Sequence, residues 1–275
     1  MAKHNKKKPK KRKKPAWMAL LPGGKVRPTM TLEQLRNVKN LHGLLTETIP
    51  GPPAIGYAIR SFRFLEMYAM ACILEKKFPP LTRCWNELER LFLRDAAFRD
   101  NNFVATWIFV DFPCSPDGRT VLDHFEGFLV ETEHGERFQP FIDALRGTRL
   151  GLYQEVARSS TRVTYRELFT ERAIETIPSI GSDGPGEIVL GRIVELGGDT
   201  LFWGDVKAFP AVARTSIEDM ISSKFVYVED QVLASRGPYE TFMKLAGPYW
   251  MSVVATNDNL PILDPDHYLS YLEPN

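Results

Sequence analysis

Residues 149–205, RLGLYQEVARSSTRVTYRELFTERAIETIPSIGSDGPGEIVLGRIVELGGDTLFWGD, hold short apolar alternations, glycine turns and charged flanks that recur at strand-like spacing. Leu150, Leu152, Gln154 and Val156 form one alternating set, and Val163, Tyr165, Glu167 and Phe169 a second; a period of two puts such a set on one face of a strand. A turn cluster, PSIGSDGPG, separates them from the apolar run through Ile188, Leu190, Ile193 and Leu196. Gly197 and Gly198 are a two-residue hairpin signal, with DTLFWG returning as the next strand. Four or five short strands this close together predict a small, strongly bent antiparallel sheet or barrel.

Upstream the period changes to that of helices. Thr31 with Gln34 is a capping box opening a helix to about Thr46, with Leu32, Leu35, Val38, Leu41 and Leu45 on one face. Further helices are predicted over residues 53–77 and 82–98, and from the Thr120/Asp123 cap to about Leu129. Another runs from Glu136 to Arg146, with Gly147 as its C-cap. FVATWIFVDF at 103–112 is apolar almost throughout, so periodicity leaves it open between strand and buried helix. Downstream, short helices are expected near residues 216–222, 238–246 and 264–272, and strands at 225–228 and 249–255. The fold class is therefore α+β: an N-terminal helical subdomain followed by a small antiparallel β-sheet or barrel with C-terminal helices. The division expected is 1–28, a disordered basic tail; 29–147, the helical subdomain; and 148–275, the β-rich subdomain with C-terminal helices.

The net charge of +1 conceals an asymmetry. Residues 3–14 carry nine Lys or Arg and no acid; the remainder holds 26 basic against 34 acidic residues, a balance near −8. A segment this rich in Lys, Arg, Pro and Gly cannot bury enough surface to offset its ordering entropy, so a flexible arm is expected. Its density of cations gathers phosphates without a designed pocket. Lys6, Lys7, Lys8, Lys10, Lys11, Arg12, Lys13 and Lys14 are the candidate nucleic-acid-binding residues. The apolar piece after them, residues 16–21, is shorter than a signal-peptide core and runs into Pro22, Gly23 and Gly24; the chain also lacks a run of about 18 apolar residues. Together with three cysteines, Cys72, Cys84 and Cys114, that form no CxxC, this predicts a cytoplasmic protein with reduced thiols and no membrane partner.

The order of the pieces, with GLYQEV at 151–156, RELFT at 166–170 and GEIVLGRIVELGGDTLFWG at 186–204, resembles uncharacterised bacterial proteins of the kind that often carry a SEC-C zinc knuckle. The resemblance covers roughly residues 103–210 and brings no biochemical activity with it. The knuckle is absent, since the chain has no CxC followed by Cys and His or Cys.

Catalytic signals are few. Asp111, Cys114, Asp123, His124, Glu126, Glu131, Glu133 and His134 crowd into 24 residues, but the two histidines are ten apart and make neither HxxxH nor HExxH. The glycine-rich stretches match neither a P-loop nor GxGxxG, and there is no GxSxG. No catalytic residue, metal site or cofactor is assigned. In the β region Arg149, Arg158, Arg162, Arg166, Arg172 and Arg192 accompany Tyr153, Tyr165, Phe169, Phe202 and Trp203, which suits base stacking. The near-equal number of glutamates favours instead rings in the core and arginines in ion pairs. The expected function is that of a non-catalytic binding protein that meets nucleic acid or the ribosome through its tail. The alternatives are a protein-interaction adaptor, or an enzyme with an unrecognised site.

Overall fold

The computed structural model describes residues 30–37, 53–92, 103–132, 135–168, 170–178, 188–209, 219, 243–247, 267 and 270–272. The tail lies outside these residues. So do the continuation of the first helix to Thr46 and the strands expected at 225–228 and 249–255.

Six helices precede the sheet among the described residues: α1 (Leu32–Arg36), α2 (Pro53–Leu74), α3 (Pro79–Phe92), α4 (Phe103–Val110), α5 (Val121–Val130) and α6 (Gly135–Arg146). Both capping boxes form. Thr31 and Gln34 exchange hydrogen bonds at the start of α1, and Thr120 and Asp123 do the same at α5, satisfying N–H groups that a helix leaves without partners. α3 begins at Pro79, three residues before the expected start, because a proline costs nothing in a helix's first turn. The open segment 103–112 is helical over α4, whose residues Val104 to Val110 are all buried. An apolar surface on every side is what a fully enclosed helix needs.

α2 is buried nearly all round. Phe62 meets Trp203 of the sheet edge-on, with ring centres 5.2 Å apart, while Phe64 packs on Phe125 and Phe138, and Tyr68 on Phe128. Leu74, at the helix end, is 45 % exposed.

The five strands are β1 (Leu150–Arg158), β2 (Val163–Glu167), β3 (Ala173–Thr176), β4 (Ile188–Leu196) and β5 (Asp199–Phe209), all antiparallel in the order β3-β2-β1-β4-β5. Gly197 and Gly198 both take positive φ, 62° and 83°, in the tight turn that pairs Leu196 with Asp199. Glycine takes such conformations at no steric cost, and the resulting turn matches the strand twist. Bulges in β1 and β4 add to the bend. The sheet curls into a half-barrel whose edge strands meet at one corner, where Ile177 N–H donates to Thr200 O at 2.9 Å.

The two faces of the half-barrel bury different sets. Leu150, Leu152, Leu190, Val194, Leu201 and Trp203 join the helices in one large core that spans residues on both sides of position 148. Tyr153, Val163, Tyr165, Val189 and Phe202 fill the concave side, with Ile174 and Ile193 against them. No described helix is long and apolar enough to cross a membrane.

Candidate functional site

The basic, aromatic stretch of the sheet is where a recognition surface was conceivable from sequence, and its side chains are already engaged. Tyr153, Tyr165, Phe202 and Trp203 are each at most 7 % exposed. Tyr153 and Tyr165 set their rings edge-on to Phe202, with centres 5.5 and 5.0 Å apart. Stacking on a base requires a free ring face, which these lack. The arginines stand beside acids. Arg149 Nη1 donates to Glu167 at 2.5 Å, and Arg158 grips the buried Glu155 with two nitrogens at 2.6 and 2.7 Å. Arg166 lies 3.5 Å from Glu171, Arg172 3.7 Å from Glu195 and Arg162 3.9 Å from Asp199. The side chain of Phe169 lies outside the described residues.

Arg192 is wholly inside. Its Nη2 donates to Asp111 and its Nη1 to Thr148 Oγ1 at 2.9 Å, tying the end of α4 and the α6–β1 connection to β4. Burial pushes the Asp111 carboxyl above its ordinary value, and the adjacent guanidinium opposes that shift. Asp111 Oδ1 and Arg192 Nε have no hydrogen-bond partner among the described residues. The pair joins residues 81 positions apart and is a structural clamp, which removes Asp111 from any metal-binding set.

The acid- and His-bearing segment after α4 is dispersed by the fold. Cys114 is buried in the core, where desolvation lifts its thiol to about 12, too high for a ready thiolate. Asp123 caps α5, Glu126 accepts from Arg146 at 2.6 Å, and Glu131 pairs with Arg36 at 2.7 Å. His124 stacks on Phe78 with ring centres 4.3 Å apart, and its Nε2 lies 3.0 Å from Ser115 Oγ. This Ser–His contact was not visible in the sequence. Ser115 donates its own proton to Asp117 Oδ1 at 2.5 Å, so the imidazole donates to the serine oxygen, the reverse of the direction that activates a nucleophile. Desolvation also lowers the His124 pKa. The turn at Ser115 is closed by Gly118, at φ 77°, whose N–H donates to Ser115 O at 2.9 Å. Glu133, His134 and the eight tail residues from Lys6 to Lys14 lie outside the described residues. Among the described residues no three His, Cys, Asp or Glu side chains converge as metal ligands would.

A cleft of about 540 Å³ opens at one mouth of the half-barrel, between the end of α6 and strands β1, β2 and β4. Tyr153 and Ile193 line it from the concave side, together with Pro140 and Ala144 of α6. The Tyr153 ring leans over Gly151 so closely that a Cβ there would collide with it.

No protein-family model, no curated protein and no solved structure matches this chain.

Proposed function

We propose that this chain is a non-catalytic binding protein that associates with nucleic acid or the ribosome through its basic N-terminal segment, with Lys6, Lys7, Lys8, Lys10, Lys11, Arg12, Lys13 and Lys14 contacting phosphates. The observation that supports this reading is the division of charge. Residues 3–14 carry nine cations and no acid, whereas the six arginines of the sheet region stand beside carboxylates. An acid beside each arginine cancels much of the positive potential that an approaching phosphate would meet. An uncompensated run releases counterions from the nucleic acid, and that release drives binding irrespective of sequence.

The test is a titration of labelled single- and double-stranded RNA and DNA with the full chain and with a version starting at Thr29. The full chain is expected to bind with little sequence preference and to lose roughly a thousandfold or more in affinity between about 50 and 200 mM salt. The shortened chain is expected to bind barely at all. If it keeps most of the affinity, the sheet is a recognition surface after all. If the full chain fails to bind at low salt, the reading falls and a protein-interaction adaptor replaces it.

A further inference from the structure

The cleft at the half-barrel mouth holds chemistry that the polyanion reading does not use. Two arginine–carboxylate pairs line it: Arg149–Glu167, which is largely buried, and Arg172–Glu195, which is exposed and loose at 3.7 Å. Between them lies Tyr153, a residue only 4 % exposed. It lines the cleft, and its hydroxyl, set over Gly151, has no hydrogen-bond partner among the described residues. A buried phenol is ordinarily hydrogen-bonded, so an unpartnered one on the wall of a cavity marks a place for a ligand atom. Burial raises the Tyr153 pKa, with Glu167 adding to the shift, so the group is a donor at neutral pH.

The charges fix the kind of ligand. A ligand of one sign is attracted by one member of the outer pair and repelled by the other, so the two effects largely cancel. A zwitterion exchanges partners with both members at once. The volume suits a small molecule rather than a polymer, and Pro140, Ile174 and Ile193 give the cleft an aliphatic side.

We propose that this mouth binds a small zwitterion with an aliphatic side chain, an amino acid or dipeptide. Its carboxylate is held by the Tyr153 hydroxyl and Arg172, and its ammonium by Glu195. Arg149 and Glu167 form the charged floor, with Thr170 donating to Glu167 to hold it in place.

Calorimetry on the full chain tests this with L-leucine and glycyl-L-leucine as zwitterions, L-leucinamide as the cation and N-acetyl-L-leucine as the anion. At least one zwitterion is expected to bind saturably, about tenfold or more tighter than either singly charged analogue. Tyr153→Phe keeps the ring against Phe202 and removes only the hydroxyl; it is expected to weaken zwitterion binding about tenfold while leaving the thermal midpoint of the free protein in place. Arg172→Gln, at an exposed position that cannot upset the core, is expected to weaken binding similarly. The proposal is overturned if neither zwitterion saturates up to about 10 mM, if a singly charged analogue binds as well, or if both variants bind as the parent does.

Discussion

Residues 3–14 and the curled sheet both hold many cations, and they differ in what stands beside each one. In the first, nine Lys and Arg share twelve positions with no acid. In the second, Arg149, Arg158, Arg162, Arg166, Arg172 and Arg192 each have a carboxylate within 4 Å, and Arg192 and Asp111 are almost fully enclosed. A count of positive residues would rate the two alike. Compensation separates them: each sheet arginine has an acid beside it, whereas residues 3–14 include none.

The sharpest way to break this contrast is to strip a sheet cation of its acid. Asp111→Ala leaves Arg192 buried and unpaired, which is expected to cost about 3–5 kcal/mol by denaturant unfolding. A loss below about 1 kcal/mol would mean that Arg192 finds water and is no clamp. Leu190→Asp makes the converse change by placing a lone charge where the helices pack on β4, and is expected to cost roughly 2–5 kcal/mol. A variant of undiminished stability would contradict the burial of that strand face.

Glu66 extends the contrast to an acid. It is buried in α2, desolvation raises its pKa from 4.5 to about 8, and Arg63 offsets this only in part. The folded value lies above the unfolded one, so the protonated form is favoured by folding. The corresponding stability is present in full below about 4.5 and is lost as pH rises through about 8. Glu66→Gln is therefore expected to flatten the fall in thermal midpoint between these limits and to gain about 2 kcal/mol over the parent at the alkaline end. Parallel profiles for the two proteins would show that Glu66 ionises freely. The smallest effect is expected from removing residues 1–28, which should leave the thermal midpoint nearly unchanged because the segment offers little apolar surface to a core. A fall of many degrees would mean that it is docked.

Local chemistry was legible in the sequence where it depends on neighbours along the chain. The Thr31/Gln34 and Thr120/Asp123 boxes and the Gly197–Gly198 turn are set by residues within a few positions of one another, and the alternation through Val163 and Tyr165 needs only a pleat. The preference for core rings and paired arginines followed from near-equal numbers of Arg and Glu. What could not be read depends on the curl. Asp111 meets Arg192 across 81 positions, and the cleft exists because Pro140 and Asp143 of α6 come against Glu167, Ile174 and Ile193 of the sheet. Nothing along the chain signals either. α4 was ambiguous for a different reason, since a segment apolar on all sides has no period to read.

The division of charge is tested most directly by the salt dependence of RNA binding, compared between the full chain and a triple variant, Arg162→Gln, Arg166→Gln and Arg172→Gln. With about five to nine phosphate contacts from the terminal segment, the slope of log affinity against log salt on single-stranded RNA is expected near −4 to −6. The triple variant is expected to give the same slope. A slope shallower in the variant by about two would place those arginines on the phosphates and contradict the assignment of binding to residues 3–14.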